Sequence, residues 1–286
     1  MKVDVVLPAG GRLRELASET GTEVKALLPL AGTTLLARTV RALRATGRVG
    51  RIVVVGPPEV ATQTSLGADA VLPEGDSGAE NALRGLAWLR GARRPSPRVL
   101  ILATDLPFVT PEAVTHFLDA CPPEAGLCVP VIERQEFTAR FPRAALRTVK
   151  LRDGQWAIGC AFLVDPEAFA RNEALVRRAF AARRSQWAMA RLLGLGFILR
   201  FLFRQLTMPQ IQDKCLQLLG CSGRAIRGCP PELGFDVDYP QDYHYAALRL
   251  RLRPAWTALV PPVGPRKSGP WLGTPASCVP SGRRLH

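Results

Sequence analysis

A glycine pair, one lysine and two well-separated aspartates are the residues of this 286-residue chain whose types and spacing could do chemistry. Gly10 and Gly11 follow the apolar run Val3-Asp4-Val5-Val6-Leu7-Pro8-Ala9, and Lys25 sits fourteen positions beyond Gly11. Glycines let backbone N–H groups approach phosphate oxygens with no Cβ in the way, and a lysine brings a mobile positive charge to the same anion. The segment lacks the rest of both the dinucleotide fingerprint and the Gly-Lys-Ser/Thr phosphate loop. Asp105, in Thr104-Asp105-Leu106-Pro107, follows Val99-Leu100-Ile101-Leu102, where an unpaired carboxylate would be costly unless it met a cation. Magnesium suits that position, because one or two carboxylates plus substrate phosphate oxygens satisfy it. Asp238 could be the second carboxylate. Strand alternation puts Asp236 on the same face, so spacing alone does not choose between them, and the structural alternative for Asp238 is an N-cap of a helix opening at Pro240.

Positioning these residues calls for a sheet. Short β-branched runs at 3–7, 51–55, 69–72, 98–103, 127–132 and 160–164 predict strands, and helical spacing predicts helices at 34–46, 78–90 and 111–120. Thr110 is the expected N-cap of the last, with Pro111 at its first position. Strand, helix, strand order implies an α/β fold with a mostly parallel, Rossmann-like sheet buried on both faces. Ligands of such sheets sit beyond the carboxyl ends of the strands, which selects the loops Pro8 to Lys25 and Thr104 to Pro107. Lys150 and Arg152, in a segment expected over the open edge of the cleft, are candidates for an acceptor phosphate; the structural alternative is a charged hairpin turning at Asp153-Gly154.

Composition bounds the rest. The formal charge is +14, and residues 251–286 supply six of those charges with no acid, seven prolines and four glycines. That basic tail is expected to be disordered, leaving one domain over 1–250. No aromatic-interleaved basic stripe occurs before it, so nucleic acid is not an expected partner. The seven cysteines include no Cys-x-x-Cys pair and no secretory signal is visible, which favours a cytoplasmic protein. The apolar region 186–206 is too short and too interrupted by arginine to span a bilayer. It reads either as a helix on the core or as an interfacial helix in peripheral membrane contact, with Arg191, Arg200 and Arg204 at the head groups.

The motifs Leu7-Pro8-Ala9-Gly10-Gly11-Arg12, Lys25-Ala26-Leu27-Leu28-Pro29-Leu30-Ala31-Gly32, Thr104-Asp105-Leu106-Pro107 and Asp236-Val237-Asp238-Tyr239-Pro240-Gln241-Asp242 resemble those of the MobA-like nucleotidyltransferases with the GT-A type fold. This is the branch related to molybdenum-cofactor guanylyltransferase and to the sugar-phosphate and polyol-phosphate cytidylyltransferases. The resemblance implies a three-layer α/β/α sandwich and transfer of a nucleoside monophosphate from GTP or CTP to a phosphorylated acceptor, releasing pyrophosphate. It implies nucleotide binding by Leu7, Ala9, Gly10, Gly11, Arg12, Asn81 and Asp105, charge neutralisation by Lys25, and Mg2+ held by Asp105 and Asp238. Here Arg12-Leu13-Arg14 and a long loop replace the usual glycine or serine and nearby arginine, and Tyr239 stands where threonine is common. A glycosyltransferase using a nucleotide sugar shares the fold but usually carries Asp-x-Asp after a central strand, where this chain has Asp105 alone. A nucleotide-binding homologue without turnover is the other alternative.

Overall fold

The computed structural model describes residues 2–63, 67–182 and 191–251. The expected tail therefore lies outside the described residues except for Arg251, as do residues 186–190 of the apolar segment. The strands are β1 (Val3–Pro8), β2 (Pro29–Leu30), β3 (Thr33–Thr34), β4 (Val49–Gly56), β5 (Ala70–Pro73), β6 (Val99–Leu102), β7 (Leu127–Glu133), β8 (Val149–Leu151), β9 (Gly154–Ile158), β10 (Ala161–Val164) and β11 (Gly223–Ile226). Nine of them form one sheet in the order β5-β4-β1-β6-β10-β7-β9-β8, with β11 also paired to β7. The β5-β4-β1-β6 block is wholly parallel, while β10 runs antiparallel to both β6 and β7.

Alternation along the central strands sorts the core into two layers. Val5, Leu7, Ile52, Val54, Leu100 and Leu102 face the helices Leu35–Ala45 and Pro111–Ala120 through Leu36, Val40, Leu43, Val114 and Phe117. Val6, Val53, Val55, Val99 and Ile101 face the helix Gly78–Arg90 through Leu86 and Leu89. Strands covered on both faces give the three-layer α/β/α sandwich that the continuous apolar runs imply. The helix starts follow their caps: the hydroxyls of Thr34, Ser77 and Thr110 accept from the N–H groups of Ala37, Glu80 and Ala113.

A third cluster is built largely from aromatic rings below the loops at the carboxyl end of the sheet. Phe108 stacks on Phe141 at 4.8 Å between centroids and meets Phe235 edge-on at 4.9 Å, and Phe235 stacks on Tyr245 at 5.5 Å. Leu13, Leu16, Leu28 and Leu30 from the glycine-lysine loop are buried in the same cluster. One satellite core thus fixes the relative positions of segments from four distant parts of the sequence.

Two strands, β8 and β9, form a hairpin over the segment 149–158, and its turn differs from the expected one. Leu151 pairs with Gly154, so the two turn residues are Arg152 and Asp153, not Asp153 and Gly154. Gly154 instead opens β9 at φ +143°, and a Cβ there would collide with the Trp156 indole. Gly154 serves the close approach of an aromatic ring and not the reversal of the chain. Among the described residues no helix is long and apolar enough to cross a membrane.

Close approach also explains Gly85, in the helix Gly78–Arg90, where a Cβ would run into the Val6 side chain of β1. We predict that Gly85→Ala destabilises the fold by about 1–3 kcal/mol through overpacking. A urea midpoint unchanged from that of the unsubstituted protein would contradict this.

Candidate active site

The carboxyl ends of β1 and β6 and the chain before the helix Pro240–Arg251 converge on Lys25. Its ammonium Nζ donates to Asp238 Oδ1 at 2.9 Å and to Asp105 Oδ2 at 3.3 Å, and all three side chains are largely buried. The backbone supports the same convergence: Lys25 N–H donates to the Gly11 carbonyl at 3.0 Å, and Val237 N–H donates to the Asp105 carbonyl at 3.0 Å. Between Asp236 and Asp238, the geometry selects Asp238 as the direct partner of Lys25, while Asp236 adds its charge to the field around the ammonium. Asp242 caps the last helix from within, its Oδ2 accepting the N–H groups of Tyr239 at 3.0 Å and Asp238 at 3.2 Å. A carboxylate reaching back from the first turn replaces the hydroxyl cap that Tyr239 lacks.

The electrostatics are dominated by these groups. Burial pushes the Lys25 ammonium down, but Asp105, Asp238 and Asp236 outweigh it and hold its pKa above lysine's ordinary value. Lys25 is therefore a permanent cation and cannot serve as a general base near neutrality. Burial, reinforced by Asp238, raises the Asp105 pKa against the opposing pull of Lys25. Cys160 is adjacent, and burial together with the negative charge of Asp236, Asp105 and Asp238 keeps its thiol protonated.

The glycine turn is packed tightly on one side. A Cβ on Gly10 would meet Glu74 Oε2 at 2.5 Å and Asn81 Nδ2 at 2.6 Å, and one on Gly11 would press on the Lys25 side chain at 3.3 Å. Asn81 is buried, its Oδ1 accepting the Gly75 N–H at 2.7 Å, so it braces the loop beside Gly10. Arg12 donates to the Gly10 carbonyl at 2.7 Å and pairs with Glu74 at 2.5 Å, whereas Arg14 is exposed beside Glu23. Leu7 and Ala9 are fully buried, so any contact they make with a ligand comes from their backbone. Lys150 lies exposed on β8 and Arg152 in the exposed turn.

Two site residues escaped the sequence reading. Glu74, directly after β5, was findable by the rule that singled out Asp105, a carboxylate at the end of an apolar strand. Arg147 carried no such signal. Its guanidinium lies 3.8 Å from Asp238 Oδ2, donates to the Tyr239 hydroxyl at 2.5 Å and stacks over that ring at 5.5 Å. Arg147 thus brings a second cation to Asp238.

A family model described as the MobA-like NTP transferase domain matches residues 5–226. The chain belongs to that family. It is a nucleotidyltransferase, and the nucleotide-sugar glycosyltransferase reading falls away. A hypothetical transferase of Thermus thermophilus is 30% identical, with a TM-score of 0.75 over 85% of this NTP transferase and 100% of that chain. The 2-C-methyl-D-erythritol 4-phosphate cytidylyltransferase of Thermus thermophilus is 21% identical, with a TM-score of 0.54 over 88% and 100% of the two chains. A CMP:2-keto-3-deoxy-manno-octonic acid synthetase, solved with CTP, shares the fold at 13% identity and a TM-score of 0.54 over 88% and 100%. No curated protein sequence matches the chain.

The raised pKa of Asp105 makes a signed prediction. The folded protein holds this proton more tightly than the unfolded chain, so the contribution is fully present below roughly pH 4 and is lost as pH rises through the raised value. Once ionised, the buried carboxylate opposes folding. Asp105→Asn, without triphosphate or metal, is expected to melt at or above the temperature of the unsubstituted protein near about pH 8. A clearly lower melting temperature would overturn that account.

Proposed function

We propose that this NTP transferase moves a nucleoside monophosphate from CTP or GTP to a phosphorylated small-molecule acceptor in a magnesium-dependent reaction in the cytoplasm. The observation that carries the reading is the Lys25 ammonium held between Asp105 and Asp238 beside the Gly10-Gly11 turn. An acceptor phosphate oxygen attacks the α-phosphorus, a new P–O bond forms, and the bond to the oxygen bridging the α- and β-phosphates breaks to release pyrophosphate. Such a transfer needs in-line positioning and charge neutralisation more than covalent help from the protein.

The donor set suits magnesium. Two carboxylates converge on one cation, both offer hard oxygens, and among the described residues no group of three or more acidic, histidine or cysteine side chains could hold a metal by itself. A site completed by substrate phosphates fits that count. Asp105 and Asp238 would hold the ion, which would supply Lewis-acid stabilisation of charge developing on the phosphates. Lys25, already charged and tethered by the Gly11 backbone, adds its own positive charge to the triphosphate. Arg12, paired with Glu74 beside the glycine turn, is a further cation on that side.

For the acceptor side, Arg147 is the strongest candidate, since it lies at Asp238 and presents a guanidinium suited to bidentate phosphate recognition. Lys150 and Arg152 remain candidates for longer-range attraction of the same phosphate. The names of two structural neighbours, a cytidylyltransferase and a CMP-transferring synthetase solved with CTP, favour CTP over GTP as the first donor to test.

The deciding experiment is pyrophosphate release with each of the common nucleoside triphosphates, magnesium and a panel of phosphorylated acceptors, with mass-spectrometric identification of the products. Lys25→Ala and Asp105→Ala are each expected to cut turnover by roughly a hundred- to a thousandfold while leaving the protein folded. Near-normal release from either variant would sink the assignment, and no release with any pair would favour a binding protein without turnover. Arg147→Ala is expected to raise the acceptor KM by about tenfold or more and to leave the triphosphate KM unchanged. An effect confined to the triphosphate would move Arg147 to the donor side.

A further inference from the structure

Five of the nine large hydrophobic side chains that are exposed among the described residues lie between Leu195 and Phe203. In the helix Leu195–Leu202, positions 195, 199 and 202, continued by Phe203, follow the spacing that places side chains in one stripe. Phe197 points elsewhere, packing on the cluster of Val131, Leu151, Trp156, Leu206 and Met208. The helix is therefore anchored through one side while its outward side is equally apolar. Phe203 is 70% exposed and Leu195 63%, values unusual for side chains of this size.

The charges around this stripe are mostly positive, and the one acid of the adjoining hairpin turn, Asp153, is already taken by Arg227 and the Met208 N–H. Arg191, Arg200 and Arg204 are exposed, and the sequence from Ala174 to Gln212 contains no Asp or Glu. The neighbouring hairpin extends the basic rim with exposed Lys150 and Arg152, and the Arg152 N–H donates to the Leu206 carbonyl at 2.9 Å. A second copy of the chain meeting this face would bring arginines against arginines, with Asp153 the single nearby acid and already paired with Arg227. A lipid surface has the complementary chemistry: acyl chains accept the leucines and phenylalanine, and head-group phosphates accept the guanidinium groups.

We propose that the helix Leu195–Leu202 and the adjoining Phe203 dock the protein peripherally on an anionic lipid bilayer. The stripe enters the head-group boundary, and Arg191, Arg200 and Arg204 pair with lipid phosphates around it. This orients the β8–β9 hairpin toward the lipid surface.

The test is co-sedimentation of the full chain with phosphatidylcholine vesicles containing roughly 30% phosphatidylglycerol, against vesicles of phosphatidylcholine alone. Binding to the anionic vesicles that weakens with salt is expected. The double variant Leu199→Glu/Leu202→Glu should lower it by about tenfold or more, and Arg200→Glu/Arg204→Glu should remove its salt dependence. Both variants should keep the melting temperature and turn over soluble substrates at the unsubstituted rate. No binding to anionic vesicles, or equal binding to neutral ones, overturns the proposal. So does a concentration-dependent dimer that Leu199→Glu/Leu202→Glu dissolves while vesicle binding is absent.

Discussion

The candidate active site rests on one constraint: two carboxylates that repel each other must be kept close together in a poorly hydrated place. Asp105 and Asp238 come from positions 80 and 213 residues away from Lys25, and the ammonium between them offsets their mutual repulsion. Attraction at such range is worth little unless the backbones are already close, because ordering long side chains costs entropy. The aromatic cluster of Phe108, Phe141, Phe235 and Tyr245 does that ordering from below, and the Gly11–Lys25 and Asp105–Val237 backbone bonds do it from within. The triad is thus positioned by apolar burial and tuned by charge.

Positioning of this kind separates stability from function. The raised pKa of Asp105 marks a carboxylate that folding would rather keep protonated, in the place where a phosphate-bound cation would want it ionised. Lys25, by contrast, is held charged over the whole physiological range. The two carboxylates thus share one fixed cation. Arg147 adds a second cation at Asp238, on the other carboxylate oxygen from Lys25.

Much of this was legible in the residues themselves. The central strands and three long helices followed from β-branched runs, helical periodicity and Thr110-Pro111, all of them local signals that the tertiary structure reinforces. Asp105 was legible because a charged group at the end of an apolar strand has few physical excuses, Lys25 because it follows a glycine pair, whereas Asp238 stood level with Asp236 until the fold brought it to the ammonium. What stayed hidden depended on partners far along the chain. The pairing of Arg12 with Glu74 spans 62 positions, and β11 is a Gly-Arg-Ala-Ile stretch with no β-branched run to announce it. Gly154 misled because its reason is the indole of Trp156, not the reversal of the chain.

The way the last helix begins reaches beyond local geometry. Asp242 takes the amides of Tyr239 and Asp238 by itself, so residue 239 no longer has to be a short hydroxyl residue to start the helix. Its side chain instead carries Arg147 on its hydroxyl and ring face, beside Asp238. A position relieved of one duty is free for another: residue 239 sets where the Arg147 guanidinium sits, while the start of the helix rests on Asp242.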